Sequence, residues 1–270
     1  MTEPLVVLER DGDVAIVTFN DPKRRNAMTE AMGHAIAEQM GALIGDPSIR
    51  AVVLTGAGRA FSAGGDLDMV ESMARRGSSN PGEETRRESS EFMRRFYDLY
   101  LSVGDLPCPT IAAVNGAAIG AGLCIALACD TRIAARDAKL GLNFTRLGIH
   151  PGMGATWTLP RIVGPAHAAE LLFTGRILDG AEAERIGLVN RAVDGEAVLS
   201  QALEMAQAMA LSAPIAVRGT KRALARSLDS DLDGQLDFEA LQQSLCYETA
   251  DLGEGLAAAQ ARREPQFRGR

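Results

Sequence analysis

Two segments of this chain share one pattern: a short apolar strand runs into a glycine-punctuated turn of small residues, and the turn opens a helix. The first is Ala51 to Thr55, followed by Gly56 to Asp66, with a helix predicted to start at Asp66. The second is Thr110 to Val114, followed by Asn115-Gly116 and a small-residue stretch that continues as helix to Cys129. Glycine allows positive φ and close approach of the backbone to a ligand. Amides at a helix start have no intrahelical acceptor and carry partial positive charge. Such turns can hold a developing oxyanion. Asp66 is read as the helix N-cap, with a catalytic acid as the competing role. The second segment is a poor dinucleotide loop, because Gly116, Gly120 and Gly122 do not fit GxGxxG and no acidic ribose partner follows.

The rest of the chain frames these two units. Leu5 to Glu9 and Val14 to Phe19, joined around Asp11-Gly12, read as a hairpin. Met32, Ile36, Met40 and Leu43 recur at helical spacing after Thr29, a candidate N-cap, and Asp46-Pro47 ends that helix. The stretch from Arg75 to Glu91, with Gly77-Ser78-Ser79-Asn80-Pro81-Gly82 inside it, is expected to be a surface loop able to act as a lid. Phe92, Phe96, Leu99 and Val103 mark an amphipathic helix, and Arg132 to Ala135 a strand. From Pro165 onward the pattern is mostly helical. Strand–strand–helix units followed by helices predict a mixed α/β fold. The expected division is a core over residues 1–200 and a helical region over 201–270.

Composition narrows the function classes. The chain has 270 residues, 46% hydrophobic and 23% charged, in the range of ordinary globular domains. A net charge of −7 gives no overall nucleic-acid footprint. Cys108, Cys124, Cys129 and Cys246 form no CxxC pair and the three histidines are scattered, so no metal site is expected. Cysteines in apolar surroundings suit reduced thiols and a cytoplasmic location. Met1 to Glu9 does not read as a signal peptide, and the longest apolar run, Ala117 to Cys129, is too short to span a membrane.

Read together and in order, several blocks carry a family resemblance. They are Ala63-Gly64-Gly65-Asp66, Ala113-Val114-Asn115-Gly116, Ala126 to Asp130, Leu147-Gly148 with Pro151-Gly152 and Gly154, Thr174-Gly175-Arg176, and Ala183 to Asn190. Glu254-Gly255 and Phe267 follow near the end. Over nearly its whole length the chain resembles the crotonase (enoyl-CoA hydratase/isomerase) superfamily. The resemblance implies a spiral of ββα units and C-terminal helices that build homotrimers, often as dimers of trimers. It implies an acyl-CoA ligand, with coenzyme A entering as part of the substrate and no prosthetic group. It assigns the oxyanion hole to the amides of Ala63 and Ala121. Coenzyme A contacts fall on Lys23, Arg24, Arg25 and Ala27 and on Ala63, Gly64, Gly65, Asp66 and Leu67. The three consecutive cations suit phosphates, although without the family they read as a solvated charge run.

The match breaks at the acid/base pair. Hydratases of this superfamily carry two glutamates beside the alkene, and their positions fall on Cys124 and Phe144. Cys124 is either a reactive thiolate lowered by a helix start or a small buried thiol. Phe144 is read as a pocket wall. His150, in Gly148-Ile149-His150-Pro151-Gly152, is a candidate acid/base or a loop histidine bonded to backbone. Asp68 and Glu71, just inside the helix after Asp66, are candidates set against an exposed helix face, and His34 and His167 read as structural. An acyl-CoA enzyme using an enolate-type intermediate is the leading reading. A non-catalytic acyl-CoA-binding protein, or an isomerase, decarboxylase or thioester hydrolase using His150 or another group, are the alternatives.

Overall fold

The computed structural model describes residues 3–270. Met1 and Thr2, the first residues of the segment read as carrying no signal peptide, lie outside the described residues. The opening hairpin pairs β1 (Val6–Asp11) with β2 (Val14–Phe19), and Gly12 turns it at φ 59°. Helix α1 (Glu30–Ile44) starts where the Thr29 side chain accepts a hydrogen bond from the Met32 amide. It buries Met32, Ile36, Met40 and Leu43, the stripe that the spacing predicts.

After β3 (Ala51–Gly56) and β4 (Ala60–Ser62) come two long helices, α2 (Leu67–Ser79) and α3 (Glu83–Leu101). They correct the surface loop expected between Arg75 and Glu91, since only Asn80–Gly82 separate them. The expectation failed because a solvated helix need bury little. Arg75 pairs with Glu71, Arg87 with Glu91, and Arg76 of α2 with Glu88 of α3. One interior glycine, Gly77, costs only about 1 kcal/mol.

The chain continues through β5 (Thr110–Val114), β6 (Ala117–Ile119), α4 (Ala121–Ala128), β7 (Thr131–Ala135), β8 (Leu140–Gly141) and α5 (Ala155–Thr174). Then follow β9 (Ile177–Leu178), α6 (Gly180–Arg185), β10 (Arg191–Val193) and α7 (Val198–Ala210). From β3 to β8 successive strands alternate between two sheets. A six-stranded sheet has the order β1-β2-β3-β5-β7-β10 and is parallel from β2 onward; a four-stranded sheet has the order β4-β6-β8-β9. Each of β3–β4, β5–β6 and β7–β8 thus steps from the large sheet to the small one before the next helix, giving the spiral of ββα units.

Val198, Ala202, Ala206 and Ala210 recur every fourth residue on α7, are buried, and lay it against β3, β5 and β7. The division expected near residue 200 falls inside this core helix. The helices outside the sheet layer are α8 (Pro214–Arg226), α9 (Leu232–Tyr247) and α10 (Ala250–Ala261). No residue of α9 is buried, and Leu224, Leu232, Leu236, Leu241 and Leu256 are exposed. No helix among the described residues is long and apolar enough to cross a membrane.

Candidate active site

Three backbone turns are clamped together beside the small sheet. The buried Asn26 side chain donates to the carbonyls of Ala60 at 2.8 Å and Ala57 at 3.0 Å. Ser62 Oγ donates to the Asn26 carbonyl at 2.7 Å and accepts from the Gly64 amide at 3.2 Å. The Met28 amide donates to the Gly64 carbonyl at 2.8 Å. The turn at 24–28 therefore fixes the turn at 62–66. Gly64 then meets the start of α4. It sits at φ 92°, and a Cβ on it would lie 2.3 Å from the Ile119 carbonyl oxygen and 3.6 Å from the Ala121 nitrogen. Only glycine fits both the dihedral and the contact.

This arrangement corrects one assignment. The Ala63 amide donates to the Arg25 carbonyl at 2.9 Å, so it already has its acceptor and cannot serve a substrate. Among the described residues the Gly65 and Ala121 amides have no acceptor within the chain. Ala121 is the first residue of α4, where an amide lacks an intrahelical partner. Gly65 and Ala121 thus offer unoccupied donors on two turns that touch through Gly64.

A cavity of about 680 Å³ opens beside these turns. Every position assigned to coenzyme A borders it, residues 23–25, 27 and 63–67, as do Ala121, Phe144 and His150. The structure gives Arg24 a partner, the Asp66 carboxylate, which also accepts from the Met69 amide at 3.0 Å. Asp66 is accordingly an N-cap whose charge is matched by Arg24. Lys23 and Arg25 form no ion pair among the described residues.

The two positions that should carry glutamates differ from each other. Phe144 is half-buried and lines the cavity. Cys124 is buried behind the wall, with Sγ 3.6 Å from the Gly152 carbonyl oxygen. Burial pushes its thiol up to about 12, which corrects the thiolate reading, because desolvation outweighs the helix start. His150 is exposed at the cavity, with Nδ1 2.7 Å from the Pro151 carbonyl oxygen. Asp68 borders the cavity from an exposed position, whereas Glu71 does not reach it and pairs with Arg75. Tyr97 was missed. It lines the cavity from α3, one residue past the Phe96 of the predicted stripe, so helical spacing gave no sign of it.

Residues 9–270 match the family model described as enoyl-CoA hydratase/isomerase. The chain belongs to this family. Its relatives include a crotonyl-CoA hydratase of Syntrophomonas wolfei, 34% identical over 97% of both chains. A short-chain-enoyl-CoA hydratase of Clostridium acetobutylicum is 37% identical over 94% of this chain and 93% of its own. Among solved structures, an enoyl-CoA hydratase from Bacillus anthracis superposes with a TM-score of 0.87 at 34% identity, covering 98% of this chain and all of that one (100%). The family's substrates are CoA thioesters, a class that matches a cavity edged by cations and floored by unpaired amides.

Proposed function

We propose that this family member binds an acyl-CoA thioester and stabilises an enolate-like oxygen with the Gly65 and Ala121 amides. The observation that carries the reading is the pair of amides without acceptors on touching turns that border one cavity. Preset donors gain strength in a water-poor site and need no reorganisation as charge develops. The direct test is calorimetry with butyryl-CoA, and absence of binding at millimolar ligand would end the reading.

A second observation favours a reaction other than efficient hydration, or binding alone. Neither Cys124 nor Phe144 offers a carboxylate, and Cys124 does not reach the cavity. The rate of crotonyl-CoA hydration separates a slow enzyme from a binder. The four free cysteines, three of them buried, support a reducing, cytoplasmic setting.

The phosphates of coenzyme A fall to Lys23 and Arg25 in this reading, because Arg24 is engaged by Asp66. Lys23→Glu with Arg25→Glu is expected to weaken butyryl-CoA binding about ten- to a hundredfold. Binding of butyryl-pantetheine, which lacks the nucleotide phosphates, should change little. Equal loss for both ligands would move the patch away from the phosphates.

The exposed leucines of α8, α9 and α10 support assembly into trimers or hexamers, since a partner subunit would cover these large apolar side chains. Light scattering at micromolar concentration should give three or six times the chain mass of 28.6 kDa. A monomer mass there would refute the assembly.

A further inference from the structure

Tyr97 is the ionisable side chain placed where the missing carboxylates leave a gap. It stands on α3, is half-buried, and lines the cavity. A Cβ built on Gly152 would lie 2.3 Å from Tyr97 Oη and 2.9 Å from Cζ. Glycine at 152 therefore makes room for the hydroxyl. The carbonyl of the same Gly152 holds the Cys124 thiol. The phenol thus sits directly beside the position of one absent glutamate, on the cavity side of it. Tyr100, one turn on, donates its hydroxyl to the Thr29 carbonyl at 2.6 Å, whereas the Tyr97 hydroxyl has no hydrogen-bond partner among the described residues. An unpaired hydroxyl on a cavity wall is available to a ligand.

We propose that the Tyr97 hydroxyl is the proton donor at the reacting end of the acyl-CoA site. This rests on the acyl-CoA reading above. In hydration of a 2-enoyl thioester, a water oxygen bonds to Cβ while the electron pair of the double bond shifts toward Cα and the thioester oxygen, held by the two amides. Cα takes the Tyr97 proton, and the surplus proton of the added water returns through solvent to the phenolate. One water is added across the double bond and the enzyme is unchanged.

Burial, with the neighbouring Cys124 adding to it, raises the Tyr97 hydroxyl above the ordinary phenol range. It is protonated throughout the neutral range, as a donor must be. Helix α4 presents Cys124 and no charge, and the loop before α5 presents His150. Asp66 and Asp68 face the cavity from the start of α2, and Lys23, Arg24 and Arg25 from the turn before α1. On α3 itself Arg94 and Asp98 pair with each other in solvent.

The experiment follows crotonyl-CoA hydration by loss of enoyl-thioester absorbance, with butyryl-CoA binding measured separately by calorimetry. Tyr97→Phe keeps the ring and should lower kcat about 10²-fold while the butyryl-CoA Kd stays within about threefold. A pH profile in the His150→Ala background removes the imidazole. There the Tyr97 enzyme should hold its rate through neutral and mildly alkaline pH and lose it only above the ordinary phenol value of about 10, since burial moves the hydroxyl upward. The Phe variant should show no such alkaline loss. A Tyr97→Phe rate within about twofold of the parent overturns the proposal. So does a parent that binds butyryl-CoA yet hydrates no faster than solvent. A parent that does not bind butyryl-CoA refutes the acyl-CoA reading itself and this inference with it.

Discussion

Gly65→Pro should lower enolate-type turnover about 10²–10³-fold, while Gly65→Ala keeps most of it. Proline deletes the amide hydrogen and alanine does not. Position 65 is well suited to the comparison. A Cβ there meets nothing within 4 Å, and Gly65 does not require positive φ. Its amide holds no part of the fold, because the local clamp runs from Met28 to the Gly64 carbonyl and from Asp66 to the Met28 carbonyl. Ala63→Pro is the poorer probe, since it breaks the bond to the Arg25 carbonyl and loosens the clamp. Circular dichroism and melting should first show that both Gly65 variants fold like the parent. The readout is then crotonyl-CoA hydration, together with the absorbance of a bound conjugated dienoyl-CoA. Hydrogen bonds to the thioester oxygen polarise that chromophore toward longer wavelength. The proline variant should lose both the rate and most of the shift. A folded Gly65→Pro protein with the rate and shift of Gly65→Ala would remove the amide from the mechanism.

Much of the fold was legible because period and punctuation agree along most of the chain. The Thr29 cap, the α1 stripe and the hairpin all stand as read. The failure between Arg75 and Glu91 has a physical cause. Helices α2 and α3 are held there by charge pairs rather than by an apolar stripe, and glycine and serine imitate a loop. The reading of α7 as part of an outer helical region failed for a different reason. Its buried face is three alanines and one valine, too small to mark a core helix by hydrophobicity, yet small enough to lie close on the sheet.

The site was legible as a set of positions and illegible as a set of bonds. Motif order pointed to residues 23–25, 27, 63–67, 121, 144 and 150, and these positions border one cavity. Which amide is free depends on a partner 38 residues away in sequence, the Arg25 carbonyl that takes the Ala63 hydrogen, and no local pattern reveals that. Whether Cys124 ionises depends likewise on what seals it. A helix start alone favours the thiolate, but Gly152 and the surrounding core close over it and reverse the outcome. Tyr97 escaped because its role comes from Gly152 opposite, not from its place in the helical repeat.

Crotonyl-CoA hydration should run about 10²–10⁴-fold below that of a relative with both carboxylates, and the deficit should be repairable at only one of the two positions. The unpaired amides keep the carbonyl polarised, and a phenol at Tyr97 supplies a proton, so the function left unfilled is the base that orients and deprotonates water. Phe144 borders the cavity, so Phe144→Glu sets a carboxylate where substrate and water meet. That variant should raise kcat at least about tenfold. Cys124 is sealed, and Cys124→Glu forces a carboxylate into a space with no route to water. Burying such a charge costs several kcal/mol, so this variant should melt well below the parent and gain no activity. The measurements are initial rates for all three proteins, thermal melts, and butyryl-CoA calorimetry to show that each still binds. Parent turnover within about 1–10³ per second would place an efficient base in the site already and sink the deficit. A Phe144→Glu variant that binds normally but hydrates no faster than the parent would show that the cavity wall at 144 is not where the water is held.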